Sequence, residues 1–122
     1  MTLDMLNRLK HLNEEEKKSL LKFEKRVKEA LTANLAMLEV FGSKVRGDFT
    51  SESDIDILVV VKKFEPAVAE KMAEISSDIS IEDGVLVSPV ILSKEEYGKN
   101  RHSNTLFVQE VDRDGILIYG AA

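Results

Sequence analysis

Apolar residues recur along the chain with two different spacings, which predict a domain of alternating helices and strands. Leucines at every third position over residues 3–12 predict a short first helix. Asn13, with Glu16 three residues later, has the pattern of a capping box, so a longer helix should begin there and run to about Asn34. The N-terminal segment, about residues 1–34, is therefore expected to be helical.

Apolar runs without helical spacing predict the strands. The first strand, Leu35–Phe41, ends at a Gly-Ser pair. The second covers residues 54–61, and its unbroken apolar run from Ile57 predicts a central strand buried on both faces. A third strand at residues 85–92 contains Pro89, which cannot donate a ladder hydrogen bond. We therefore expect this strand at a sheet edge or with a bulge.

Further helices are predicted between and after these strands. Pro66 suits the first turn of a helix, which should continue to the Asp-Gly turn at residues 83–84. Ser93 begins a second capping-box pattern, and a last helix at residues 104–111 precedes a short strand at 116–119. The fold class is α/β (α+β), with a small mixed β-sheet and helices packed on it.

Composition and charge narrow the class of protein. The 122 residues, 1–122, are expected to form a single domain with a hydrophobic core. The absence of cysteine excludes disulfides and thiolate metal sites and is typical of a cytoplasmic protein. No apolar run approaches the roughly 18 residues that span a bilayer. The net charge of −5 argues against broad nucleic-acid binding, which depends on many Lys and Arg contacts.

The candidate chemistry lies between the first two strands. Asp54 and Asp56 open the second strand, where alternation puts both carboxylates on one side, about 6.6 Å apart along the chain. Aspartate is disfavoured in strands, whereas carboxylates and substrate phosphates together often hold Mg²⁺. Gly42 and Ser43 offer backbone N–H groups and a hydroxyl to phosphate oxygens. The stretch predicts a metal and nucleotide site, and strand-start capping without a ligand is the alternative.

Other charged residues near this stretch allow two interpretations. Arg46 either contacts phosphate or pairs across the loop with Asp48 or Glu52. Lys44 is expected to be exposed, and both histidines are expected at the surface because they lack metal-ligand spacing. The charged run at residues 22–29 is interpreted as a solvated helix face, with partner docking as the alternative.

Two short motifs carry a resemblance to a known family. Residues 42–47 read Gly-Ser-Lys-Val-Arg-Gly, and residues 53–59 read Ser-Asp-Ile-Asp-Ile-Leu-Val. Together they resemble the signature of the DNA polymerase β-like nucleotidyltransferase superfamily. The Asp-Gly-Ile-Leu-Ile-Tyr ending at 114–119 and the short length are similar to its minimal nucleotidyltransferase (MNT) group. The resemblance covers about residues 14–119 and implies a polymerase β palm-like fold.

The resemblance implies an enzyme that moves a nucleoside monophosphate from an NTP, ATP foremost, to a hydroxyl acceptor. Asp54 and Asp56 match two of the three carboxylates that hold two Mg²⁺ ions with the triphosphate. Gly42 and Ser43 match the turn that grips the phosphates, and Arg46 matches the arginine of the signature. Small members of the group often act as antitoxins paired with HEPN-domain RNase toxins, and some modify the toxin with AMP. A HEPN-type protein is therefore an implied partner.

The third carboxylate is where this sequence departs from the family pattern. The family places it on the strand after the central helix, but residues 85–92 contain no Asp or Glu, and Ser88 stands there. Glu82 and Asp83, just before that strand, are the candidates to replace it. Without a replacement, the alternative function is a degenerate nucleotide- and metal-binding module that acts mainly through a protein partner.

Overall fold

The computed structural model describes residues 1–48, 50 and 53–120, in which six α-helices surround a four-stranded sheet. The helices are α1 (Leu3–Arg8), α2 (Glu14–Leu31), α3 (Ser43–Arg46), α4 (Pro66–Asp83), α5 (Lys94–His102) and α6 (Leu106–Asp114). The strands are β1 (Leu35–Phe41), β2 (Ile55–Val61), β3 (Val87–Ser93) and β4 (Ile116–Gly120). A 3₁₀ turn, Thr32–Asn34, joins α2 to β1. The predicted α/β class is confirmed.

The sheet is mixed and has the order β3-β2-β1-β4. β1 runs antiparallel to both β2 and β4, whereas β2 and β3 are parallel. β2 lies inside the sheet, and all its residues except Asp56 are buried, which confirms the predicted central strand. β3 lies at an edge, as Pro89 predicts, because an edge strand tolerates the loss of one donor.

Both predicted capping boxes form and set the starts of α2 and α5. In the first, the Asn13 side chain accepts from the Glu16 amide at 2.8 Å, and the Glu16 side chain accepts from the Asn13 amide at 3.0 Å. Ser93 and Glu96 make the same reciprocal pair at α5. The polar pattern at these two positions was sufficient to locate the helix starts.

Several helix and strand ends differ from the sequence predictions. The helix expected over residues 3–12 stops at Arg8. The helix expected to reach Asn34 ends at Leu31, because Thr32 has a positive φ of 47° that no regular helix continues. The strand expected at 85–92 and the helix expected at 104–111 both begin two residues later, and the helix is capped by the Thr105 side chain. In the described ranges, no helix is long and apolar enough to cross a bilayer.

The sheet has a different pair of helices on each face. α2 and α4 cover the face that carries Val40, Ile57 and Val59 in one core cluster. Met37, Phe41, Leu58 and Val60 form a second cluster with Tyr97 of α5 and Val111 of α6. Because side chains alternate along a strand, Asp56 shares the face of Leu58 and is directed towards the α5–α6 side. The candidate site around Asp56 therefore lies next to the second cluster, at the end of the sheet where β2 begins.

Candidate active site

Gly42 lies directly against the carboxylate of Asp56. Phe41 pairs with Asp56 across the β1–β2 ladder, so the chain turns over this carboxylate at the next residue. Gly42 has a φ of +88°, and a Cβ built there would overlap Oδ2 of Asp56. Glycine is required at this position for two reasons: its φ is disfavoured for other residues, and the carboxylate occupies the space of a side chain.

Ser43 is the first residue of α3 and is held in a single tight turn. The Gly42 carbonyl accepts hydrogen bonds from the Val45 and Arg46 amides at 3.1 and 3.2 Å. The Gly47 amide donates to the Ser43 carbonyl at 2.8 Å, and Gly47 has a left-handed φ of +88° that ends the helix. The Ser43 side chain is half-buried beside Gly42, on the same turn that covers Asp56.

Asp54 and Asp56 flank Ile55, which is buried on the opposite side of the chain. Asp54 is the last residue before β2, and Asp56 is the second residue of that strand. Burial raises the pKa of Asp56 above its usual range, and the negative charges of Asp54 and Glu110 raise that pKa further, against the opposing charge of Arg46. A bound cation would favour the ionised form of this carboxylate.

The two aspartates fit Mg²⁺ only with help from a substrate. Within the described part of the chain, no group of three Asp, Glu, His or Cys side chains could hold a metal ion. Mg²⁺ commonly takes one or two carboxylates together with substrate phosphates and water. The oxygen donors of Asp54 and Asp56 next to the Gly42–Ser43 turn therefore fit a magnesium ion that arrives with a nucleotide.

Ser88 lies beside Asp56 on the neighbouring strand. The parallel β2–β3 ladder pairs these two residues directly, and both are partly exposed. The position at which the family places its third carboxylate is therefore next to Asp56, as the sequence indicates, and it carries a hydroxyl.

Glu82 and Asp83, the candidates to replace the third carboxylate, bind residues of α2 instead. Asp83 accepts from Ser19 Oγ at 2.8 Å and from Lys22 Nζ at 2.9 Å. Glu82 accepts from the Arg26 guanidinium at 2.8 and 2.9 Å. These contacts lower the pKa of both carboxyl groups and hold the end of α4 against α2. The alternative left open by the sequence, that either acid replaces the third carboxylate, is therefore not observed, and Lys22 and Arg26 of the 22–29 run bind α4.

Lys44 corrects another expectation, because it is buried. Its Nζ lies 2.7 Å from Glu16 Oε2, and both side chains are at most one-tenth exposed. This ion pair fastens α3 to the first turn of α2. His11 is exposed, as expected, but its ring lies where a Cβ on Gly47 would come within 2.7 Å. The first turn of α2 and the segment before it therefore support the loop between β1 and β2 from one side.

Arg46 supports the same loop from the other side. Its Nε donates to Asp48 at 3.1 Å, which confirms one of the two pairings considered, while Glu52 lies outside the described residues. Its Nη1 donates to Asp114 Oδ2 at 2.8 Å and lies 3.8 Å from Glu110 Oε1. The hydrogen bonds to Asp114 and Asp48 raise the pKa of Arg46. Arg46 therefore joins the loop to α6.

Glu110 and Asp114 contact Arg46 at this site but were not predicted from the sequence. They lie on a short helix after the signature motifs, 54 residues or more beyond Asp56 in the chain. Their spacing of four residues, which puts both on one side of a helix, was the available signal. Nothing in that spacing indicates which strand end the helix approaches.

With this geometry established, comparison with known proteins identifies the family. Residues 20–113 match the family model described as "Nucleotidyltransferase domain". The chain belongs to the nucleotidyltransferase domain family. The resemblance inferred from the signature is confirmed, and the class of enzyme is nucleotidyltransferase.

Two proteins of one archaeon are related to this nucleotidyltransferase over most of its length. Two proteins of Methanocaldococcus jannaschii, each named "Putative protein adenylyltransferase", align with most of the chain. The first is 34% identical over 98 residues, which is 79% of this chain and 91% of the relative. The second is 28% identical over 104 residues, which is 85% of this chain and 98% of the relative.

Solved structures share the fold. A spectinomycin adenyltransferase from Enterococcus faecialis, solved with ATP and spectinomycin, matches 87% of this chain with a TM-score of 0.66 and 20% identity. This nucleotidyltransferase spans only 56% of that enzyme. A toxin–antitoxin complex with AMP-PNP gives a TM-score of 0.56 at 20% identity, over 89% of this chain and 75% of that one. A complex of a tri-AMPylated Shewanella oneidensis HEPN toxin with an MNT antitoxin gives a TM-score of 0.50 at 21% identity, over 84% of this chain and 73% of that chain.

Proposed function

We propose that this protein is a Mg²⁺-dependent adenylyltransferase that moves AMP from ATP to a hydroxyl acceptor on a protein. The observation that carries the proposal is the contact between Gly42 and Asp56, because it sets a phosphate-binding turn directly over a carboxylate pair. The names of the archaeal relatives support AMP as the group transferred and a protein as the acceptor. A small molecule or an RNA end is the alternative acceptor.

In the proposed reaction, Asp54 and Asp56 hold the metal and are the catalytic residues predicted from the sequence. Mg²⁺, two ions with ATP bound by family analogy, would neutralise the charge that develops on the phosphates. Gly42 and Ser43 bind phosphate oxygens through backbone N–H groups and a hydroxyl. Arg46 keeps this turn in place through Asp48 and Asp114, and its charge is the further proposed contact for the phosphates.

The proposed protein partner is a HEPN-type toxin. This rests on the fold shared with chains of toxin–antitoxin complexes, one of which contains an AMPylated toxin. Under this proposal the chain acts as an antitoxin that adenylylates its partner. Two predictions from the sequence agree with this proposal. One is a single domain spanning residues 1–122, with an N-terminal helical segment over about 1–34, and the other is a cytoplasmic location.

One observation favours a second candidate function. Ser88 stands beside Asp56, and no third acidic ligand completes a metal site among the described residues. The alternative is therefore a degenerate module that binds nucleotide and metal and neutralises its partner by contact alone. The two candidates differ in whether any acceptor becomes covalently labelled.

The test is transfer of label from α-labelled ATP in the presence of Mg²⁺. Three acceptors are offered: a tyrosine peptide, a short RNA with a free 3′ hydroxyl, and the product of the neighbouring gene. Transfer that is lost in Asp54→Asn supports the enzyme. ATP binding without transfer to any acceptor supports the module and contradicts the enzyme.

A further inference from the structure

One side of α6 faces the end of the sheet that carries Asp56. Phe107, Glu110 and Asp114 follow one another at spacings of three and four residues, so they share that side of the helix. Phe107 packs edge-on against Phe41, with ring centroids 5.6 Å apart. Phe41 is the β1 residue paired with Asp56. Phe107 therefore packs the first turn of α6 against the edge of the site, and Glu110 lies on the next turn.

Arg46 fixes this side of α6 against the loop between β1 and β2. Its guanidinium bonds Asp114 at 2.8 Å and lies 3.8 Å from Glu110. The Asp114 side chain is 7% exposed, whereas that of Glu110 is 42% exposed. Arg113 also bonds Asp114 at 2.9 Å. Asp114 is thus a buried anchor, and Glu110 is the carboxylate that solvent and substrate can reach.

Glu110 lies 3.8 Å from the guanidinium of Arg46, on the α6 side that is held against the loop over Asp56. Its negative charge acts on Asp56, as the raised pKa of that residue reflects. Across residues 1–48, 50 and 53–120, no three such side chains come together tightly enough to hold a metal. Ser88, on the other side of Asp56, has a hydroxyl that is a poor base near neutral pH. A carboxylate near the site but outside the metal ligands is suited to proton transfer.

We propose that Glu110 is the catalytic residue that takes the proton from the attacking acceptor hydroxyl. This inference rests on the proposed adenylyl transfer. The acceptor O–H proton passes to the Glu110 carboxylate as the acceptor oxygen forms a bond to the α-phosphorus of ATP. The bond from the α-phosphorus to the oxygen that bridges to the β-phosphate breaks. Pyrophosphate leaves with that electron pair, and Glu110 later releases the proton to water.

The test compares Glu110→Gln with Asp112→Asn, a change of the same kind on the same helix. Asp112 is exposed and pairs with Arg101, away from the aspartate pair. The rate of AMP transfer is measured with α-labelled ATP, Mg²⁺ and the acceptor that the wild type labels fastest. Where water is the acceptor, this rate is measured as the release of free AMP. Glu110→Gln should lower the rate about 100-fold or more, the usual contribution of a general base. Asp112→Asn should stay within about threefold of wild type, as expected for an exposed surface change.

Two further readouts separate a proton-transfer role from a structural one. The rise in melting temperature on adding ATP with Mg²⁺ should be the same in Glu110→Gln and wild type. The loss of rate in Glu110→Gln should lie in kcat, with the KM for ATP little changed, because Glu110 acts on the acceptor proton and not on nucleotide binding.

Each result has a definite consequence. An unchanged rate in Glu110→Gln, or loss of the ATP-dependent stabilisation, overturns the role of Glu110 and leaves the proposed function standing. A wild type that binds Mg²⁺ and ATP but transfers AMP to nothing overturns the proposed function and this inference together.

Discussion

At the scale of single residues, Gly42 is the position on which the site depends most. Its left-handed backbone and its contact with Asp56 both exclude a side chain. The Gly-Ser motif therefore encodes two things at once: a turn for phosphates and room for a carboxylate. The sequence predicted the first, and only the structure shows the second.

Gly42→Ala should lower the free energy of unfolding by at least about 1 kcal/mol, because strained backbone alone costs about 1–3 kcal/mol. It should also displace Asp56 and abolish stabilisation by ATP with Mg²⁺. The matched control is Gly98→Ala, where no atom lies within 4 Å of the added Cβ. Removing a glycine from inside α5 should raise stability by about 0.5–1 kcal/mol. Equal effects of the two changes, measured by urea unfolding, would contradict this account.

Glu39 gives a prediction about pH at the same scale. It is a buried carboxylate on β1, and burial raises its pKa, with repulsion from Asp112 adding and attraction to Arg101 opposing. The folded protein therefore keeps the Glu39 proton at pH values where the unfolded chain has lost it. The free energy of unfolding therefore falls as the pH rises from the ordinary glutamate pKa of about 4.3 through the higher pKa of Glu39 in the folded protein.

Glu39→Gln removes that titration, so its stability relative to wild type should increase between pH 4 and pH 8. The measurement is urea unfolding of both proteins at the two pH values. Glu29→Gln, an exposed change on α2, serves as the control and should show no such increase. A stability difference between Glu39→Gln and wild type that stays constant with pH would show that burial of Glu39 has no cost.

At the scale of elements, the site depends on contacts that hold the loop between β1 and β2 to helices on either side. The Lys44–Glu16 ion pair ties α3 to α2, and Arg46 ties the loop to α6. The apolar spacing and capping patterns predicted most of the elements, since those signals act between residues three or four apart. They could not predict that Lys44 is buried, because its partner lies 28 residues earlier in the chain.

Glu16→Gln should destabilise the protein by about 3 kcal/mol, because it removes the carboxylate that lies 2.7 Å from the buried Lys44 ammonium. A glutamine can keep the capping box, so the helix start is preserved. Glu14→Gln in the same turn removes only an exposed contact with Lys17 and should cost less than about 0.5 kcal/mol. If thermal unfolding shows the same small loss for both, the ion pair does not hold α3 in place.

The remaining carboxylates show why a third acid could not be placed from sequence. Glu82 and Asp83 are near Ser88 in the chain, yet the last turn of α4 directs them to α2. Glu110 is distant in the chain, yet α6 brings it to Arg46. Proximity along the sequence was misleading because helix orientation, which long-range packing sets, decides the direction of each side chain.

At the scale of the whole molecule, the two faces of the sheet have different roles. α2 and α4 pack on one face of the sheet, while Asp56, Ser88 and Glu110 belong to the face covered by α5 and α6. The family, the sheet class and the positions of the two aspartates followed from sequence. How the residues of the face covered by α5 and α6 are arranged could be learned only from the structure.

Nucleotide and metal should stabilise the molecule only together, because two carboxylates need substrate phosphates to complete the coordination of Mg²⁺. At 100 times its dissociation constant, ATP with Mg²⁺ should add about 2.7 kcal/mol to the free energy of unfolding. ATP with EDTA, or Mg²⁺ alone, should add little. The same stabilisation by ATP without metal would place the nucleotide away from Asp54 and Asp56.

The most direct test of the central claim compares ATP labelled at the α-phosphate with ATP labelled at the γ-phosphate. With Mg²⁺ and an acceptor, we expect label from the α-phosphate to become covalently attached, while γ-label leaves in pyrophosphate. Asp54→Asn and Asp56→Asn should each abolish the transfer in proteins that remain folded. Attachment of γ-label, or transfer that survives both substitutions, would contradict the assignment of this site to nucleotidyl transfer.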